Sequence, residues 1–194
     1  MRDPRRYAPL LIAVLVLVVL ALGVSACGSS VKKYSDPTYG YSFSYPNAWT
    51  VQAGSSDVTA GGTASANVGV FNPDGTQVSS TYVDLAMVMV YKLTVTVTDP
   101  WSSDIQKELE GVLTSLQGQA TDVKVEVPLK HTTTAGLKGY VVTYTFNKDG
   151  AALRSTLYFL FNGKYEYELT QQAATATWDA TKPALDGIVA SFKP

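Results

Sequence analysis

Few side chains in this chain have the reactivity for chemistry, and their spacing narrows it further. There is one cysteine, Cys27, and one histidine, His131. A single thiol excludes an intramolecular disulfide framework and a cysteine-cluster metal site. A single imidazole leaves histidine-rich zinc centres without ligands. As a catalytic base, His131 would need a nucleophile and an orienting carboxylate. No G-x-S-x-G stretch supplies that nucleophile, and Lys130-His131-Thr132-Thr133-Thr134 reads as a solvent-exposed loop. Glu166 and Glu168 stand two apart in an alternating stretch, so both carboxylates face one side of a strand. Paired carboxylates can cleave glycosidic bonds. Alternating with Tyr165, Tyr167 and Leu169, they read instead as the wet face of an amphipathic strand. Asn72-Pro73-Asp74-Gly75 and Asn147-Lys148-Asp149-Gly150 lack the calcium-loop spacing and its distal glutamate. Neither a phosphate-binding loop nor a G-x-G-x-x-G follows a strand. Catalytic residues, metal ligands and cofactors are accordingly expected to be none.

Cys27 has a different chemistry available. Arg2, Arg5 and Arg6 form a positive start, Leu10 to Leu22 is an unbroken run of Leu, Ile, Val and Ala, and small residues follow. That is the build of a secretory signal. Residues 8–26 also approach the length that spans a bilayer, so a transmembrane anchor competes. Val24-Ser25-Ala26-Cys27 resembles the lipobox of bacterial lipoproteins, and the chain's one cysteine stands where that motif needs it. The resemblance implies a diacylglyceryl group on the Cys27 thiol and cleavage between Ala26 and Cys27, which leaves a free amine open to acylation such as palmitate. The expected organisation is a signal peptide at 1–26, a lipidated tether at 27–38 and a domain at 39–194.

Charge argues against nucleic acid as a partner. The chain carries 15 basic and 16 acidic residues; removing Arg2, Arg5, Arg6 and Asp3 leaves 12 and 15, a net of −3. Such a balance gives no bulk attraction for a polyanion.

The elements behind these residues follow from period. A half-buried strand is expected at Tyr39–Pro46, a second at Trp49–Gln52, and a loop across Gly54–Ser65. A short strand at Asn67–Phe71 and the Asn72–Gly75 turn come next. Thr81–Val97 alternates with apolar residues at odd positions, predicting one long strand with one buried face and one more polar face. Asp99-Pro100 predicts a helix start, and Trp101, Ile105, Leu109, Val112, Leu113 and Leu116 make its apolar stripe, with Gly118 as its stop. Val123–Leu129 is a strand, followed by a threonine-rich link. Leu137–Asn147, Ala151–Phe161 and Tyr165–Gln171 predict a meander turned at Lys148-Asp149-Gly150 and Asn162-Gly163. A last helix spans about residues 179–191, with Pro183 in its first turn and Trp178, Leu185, Ile188, Val189 and Phe192 toward the sheet. The fold class is α+β, an antiparallel sheet flanked by helices.

Tyr39-Gly40-Tyr41-Ser42-Phe43-Ser44-Tyr45-Pro46-Asn47-Ala48-Trp49 resembles the opening of PsbP-like domains, and Ile188-Val189-Ala190-Ser191-Phe192 resembles their closing helix. The resemblance implies a Mog1/PsbP-type α/β/α sandwich, shared by actinobacterial lipoproteins of the LpqN type. Members are mostly non-enzymatic, and no functional residue is carried over. The expected role is a non-catalytic binding or accessory module, lipid-anchored on the extracytoplasmic face of the cell membrane, serving an envelope protein partner. A carrier of a small lipid or glycolipid is the alternative, and an envelope hydrolase the third reading. Tyr140, Tyr144, Tyr158 and Tyr165 are the aromatics that would line a ligand groove or an interface; their competing reading is an aromatic core beneath the helices.

Overall fold

The computed structural model of the chain describes residues 30–53, 64–117 and 120–194. Ala26, Cys27 and Gly118, most of the Gly54–Ser65 loop, and the whole apolar N-terminal run lie outside them. Strands β1 (Val31–Ser35) and β2 (Ser42–Pro46) form an antiparallel ribbon. Residues 31–35, expected within the tether, are thus built into the domain. Tyr34 explains why: its ring lies 5.3 Å from that of Phe43 and 6.0 Å from that of Tyr41.

The main sheet runs β3 (Thr50–Ala53), β4 (Ala64–Phe71), β7 (Leu85–Val97), β10 (Ala151–Ala174), β9 (Leu137–Lys148) and β8 (Thr121–Thr134). A small hairpin pairs β5 (Gln77–Val78) with β6 (Thr81–Tyr82). β10 cannot be one straight strand. Extended, 24 residues would span roughly 80 Å, yet Ser155 Oγ donates to Gln172 at 3.2 Å and Thr175 N donates to Ala152 O at 2.8 Å. Both bonds keep one register, which leaves Gly163-Lys164 as a two-residue turn. Gly163 has φ +62°, as a type II′ turn requires of its first central residue. The expected meander therefore holds, with its last turn centred one residue later. The outgoing arm pairs with β9 and the returning arm with β7.

Helices α1 (Ser103–Gln117) and α2 (Trp178–Ser191) cover opposite faces. Leu160 and Tyr167 belong to the cluster under α2, whereas Leu157, Phe159 and Phe161 belong to that under α1. Alternation along one arm thus feeds two cores. The α2 cluster holds Tyr41, Phe43, Trp49, Val88, Val90, Leu169, Trp178, Leu185, Ile188, Val189 and Phe192, all the helix residues expected there among them. The smaller α1 cluster holds Leu109, Tyr140, Val142, Phe159 and Phe161, with Trp101, Ile105 and Leu113 packed on it.

Several expectations change. The stretch Thr81–Val97 breaks at Val83-Asp84, and in β7 it is Ala86, Val88 and Val90 that are buried, at 3 %, 2 % and 0 % exposure. Leu85, Met87, Met89 and Tyr91 on the other face are half-buried. The even side is covered by the α2 cluster only as far as Val90; beyond Tyr91 the expected alternation returns, with Lys92, Thr94 and Thr96 exposed and Leu93 and Val97 packed on the α1 cluster. Asp84 is 1 % exposed; its carboxylate accepts from Thr76 N, Ala174 N and Thr177 Oγ1, tying the β5–β6 hairpin to the start of α2. Asp99 caps a turn, accepting from Trp101 N, and the helix starts later at Ser103, where Ser102 Oγ accepts from Ile105 N. Val112 stays 38 % exposed, off the buried stripe. Pro183 sits inside α2, past its first turn, on the exposed side. The threonine-rich link is the end of β8, closed onto β9 through Ala135-Gly136, both at positive φ.

Candidate functional site

His131 lies on β8 and not in a loop, though its side is exposed as expected. Its ring stacks on Trp101 at 5.0 Å and meets Tyr140 edge-on at 5.0 Å. Lys138 Nζ stands 4.6 Å from the Trp101 ring, and Trp101 Nε1 donates to Gly139 O at 3.0 Å. Gly139 is also where β9 comes closest to β10, since a Cβ there would lie 1.8 Å from Phe159 O. The imidazole is an aromatic partner for the start of α1. Neither a nucleophile nor a carboxylate orients it.

The four tyrosines do not converge. Tyr140 and Tyr144 sit on the α1 face, Tyr158 and Tyr165 on the α2 face. Tyr158 and Tyr165 are on the two arms of one hairpin, and all four rings are engaged in the cores. A cleft of about 540 Å³ opens where β8, β9 and β10 begin or end, lined by Asp122, Lys124, Glu126, Thr145 and Asn147 among others. None of the four tyrosines lines it. Beside it Glu126 pairs with Arg154 at 2.8 Å, and the Arg154 guanidinium covers the Trp178 ring at 5.0 Å.

Glu166 and Glu168 are where the structure departs most from expectation. The hairpin register sets Glu168 opposite Phe159, on the face that carries α1. Across the other edge Glu166 pairs with Tyr91 and Glu168 with Met89. Both carboxyls are half-buried, not wet. Burial pushes the Glu166 carboxyl up to about 8, helped by repulsion from Glu168 and from Glu108 on α1. Burial raises Glu168 to about 7, against a hydrogen bond from Tyr91 that favours its ionised form. Both titrate near neutral pH, the range in which a carboxyl can act as a general acid. His131 is not one of the groups around this pair: its ring contacts are Trp101 and Tyr140. Among the described residues no three His, Cys, Asp or Glu side chains are grouped to hold a metal ion. The Asn72–Gly75 turn is explained by its own bonds, Asn72 Oδ1 accepting from Asp74 N and Asn72 O from Gly75 N.

Sequence reasoning found the shared face of Glu166 and Glu168 but missed Tyr91 and Glu108, whose places depend on strand order and helix docking. One signal was present. The helical stripe from Trp101 to Leu113 needed a sheet face to cover, and the face opposite Tyr165, Tyr167 and Leu169 was the one left. Among the described residues no helix is long and apolar enough to cross a membrane.

Comparison with known proteins bears on the fold. The profile of the PsbP family matches residues 29–194. The solution structure of cyanobacterial PsbP (CyanoP) from Synechocystis is similar with a TM-score of 0.55 and 18% identity, covering 87% of this chain and 97% of that one. LpqN, described as involved in cell envelope biogenesis of Mycobacterium tuberculosis, is similar with a TM-score of 0.54 and 10% identity, covering 84% and 90%. A Bacteroides thetaiotaomicron structure is similar with a TM-score of 0.50 and 14% identity, covering 84% of this chain but 47% of that one. Among curated proteins none matches.

Proposed function

The chain belongs to the PsbP family, and from that premise we propose that it is a lipid-anchored accessory module of the cell envelope, non-catalytic and engaged with an envelope protein. The observation that carries this reading is positional. The family match begins at residue 29, two residues after the only cysteine, which ends the lipobox-like Val24-Ser25-Ala26-Cys27. A soluble domain placed directly behind a lipidation motif is a domain meant to work at a membrane surface. Two acyl chains anchor stably, at about 0.8 kcal/mol per buried CH₂, where one chain binds marginally. The likeness to LpqN, itself involved in envelope biogenesis, supports the location. For the absence of catalysis, the support is that His131 and the Glu166–Glu168 pair are held in different places with different neighbours.

The test is native mass spectrometry of the protein extracted from its own membranes in mild detergent. The reading expects a diacylglyceryl mass on Cys27, loss of residues 1–26, and a co-purifying protein. Cys27→Ser should move the protein out of the membrane fraction. An unmodified Cys27 in the mature protein overturns the anchor. A bound lipid separate from the Cys27 adduct, with no protein, would favour the carrier instead.

A further inference from the structure

The first described strand starts very near the cysteine. Three residues separate Cys27 from Val31, so the chain between them reaches at most roughly 14 Å. A domain held by lipid at Cys27 therefore brings the beginning of β1 to the headgroups. That end of the ribbon has a suitable surface. Val31 is 61 % exposed, Lys32 and Lys33 are exposed, and the paired end of β2 adds Pro46 and the exposed Asn47 and Ala48. Among the described residues neither lysine is in an ion pair. Asp36, the nearest acid along the chain, is occupied at the far end of the ribbon by Thr38 N and Tyr39 N. The rest of the domain is acidic, since residues 27–194 carry a net −3 with these two lysines included.

We propose that the Val31 end of the β1–β2 ribbon docks on the anionic headgroup surface of the bilayer that holds the chain, Val31 touching the interface and Lys32 and Lys33 binding lipid phosphates. The proposal rests on the lipidation of Cys27. The contact orients the domain, turning its acidic remainder away from a surface of like charge. Lysines on an edge strand also discourage strand pairing between molecules, but that role does not depend on the lipid present.

The experiment uses the full lipidated protein in vesicles of phosphatidylcholine, with and without added phosphatidylglycerol. Amines are acetylated briefly and each lysine's rate is read by mass spectrometry, with exposed Lys107, Lys148 and Lys182 as references. A lysine at an anionic surface gains on the order of 1 kcal/mol, so Lys32 and Lys33 should each slow about fivefold when phosphatidylglycerol is present. High salt should restore their rates, and the reference lysines should not change. Equal rates for Lys32 and Lys33 in both vesicles, with the diacylglyceryl mass present on Cys27, overturn the docking alone. An unmodified Cys27 overturns the lipoprotein reading and the docking with it.

Discussion

The two faces of the main sheet are built alike and serve differently. Under α2 lies a large aromatic core in which Tyr41, Tyr167 and Phe192 meet at ring distances of 5.5–6.2 Å. It also ties in β2 through Ser44 N donating to Ser191 Oγ and the Ser42–Lys193 bridge. Under α1 the apolar core is smaller, and Glu166 and Glu168 stand half-buried on the same face. One helix therefore closes a dry interior, while the other packs on a face that also carries protons. Stability should be concentrated on the α2 face and pH sensitivity on the α1 face.

The largest effect should come from breaking the dry side. Phe192→Ala should cost about 4 kcal/mol, as the loss of a fully buried aromatic ring does, measured by urea denaturation. Leu109→Ala, at the one buried position among the described residues of α1, should cost about 2–3 kcal/mol. Equal losses from the two would erase the contrast between the faces.

The acid pair sharpens it. Glu166 ionises near 4.5 in an unfolded chain and is pushed up to about 8 when folded. The folded state therefore holds the proton more tightly, and its contribution is full below about pH 4.5 and lost as pH rises through about 8. Glu166→Gln should flatten that decline, by on the order of 1–2 kcal/mol after solvent screening, in denaturation curves between pH 5 and pH 8.5. Glu168, raised to about 7, leaves a smaller decline in the variant; a decline undiminished from the parent would place the titration outside Glu166. The smallest effect is at the edge of the α1 face. His131→Ala should cost about 0.5–1 kcal/mol through lost stacking on Trp101, read by urea denaturation.

Much of this architecture is legible in residue order. The tight turns at Asp149-Gly150 and Gly163, the stripe of α1 and the inward face of α2 all rest on local periods and turn chemistry. So does the lipobox-like run ending at Cys27. Local pattern misleads where a position's surroundings come from far along the chain. Val31–Ser35 looks like a polar tether because its partner strand lies across a turn and its one anchor is Tyr34. Asp84 looks like a residue of the wet face, yet its partners come from Thr76, Ala174 and Thr177. His131 has its neighbours from the start of α1, which no spacing in its own strand reveals.

The paired carboxylates mark the boundary between the two kinds of knowledge. That Glu166 and Glu168 share a face is a property of the strand itself, whose side chains alternate with a period of two. Whether that face is wet is not. It depends on β7 lying alongside and on α1 packing over the same side, contacts made by residues more than fifty positions away. Periodicity sets the direction of a side chain, but solvation is set by whatever the rest of the chain brings in front of it. That is why the sequence alone determined the elements, their order and the family's fold, and only the tertiary structure decided that two ordinary-looking glutamates hold protons near neutral pH.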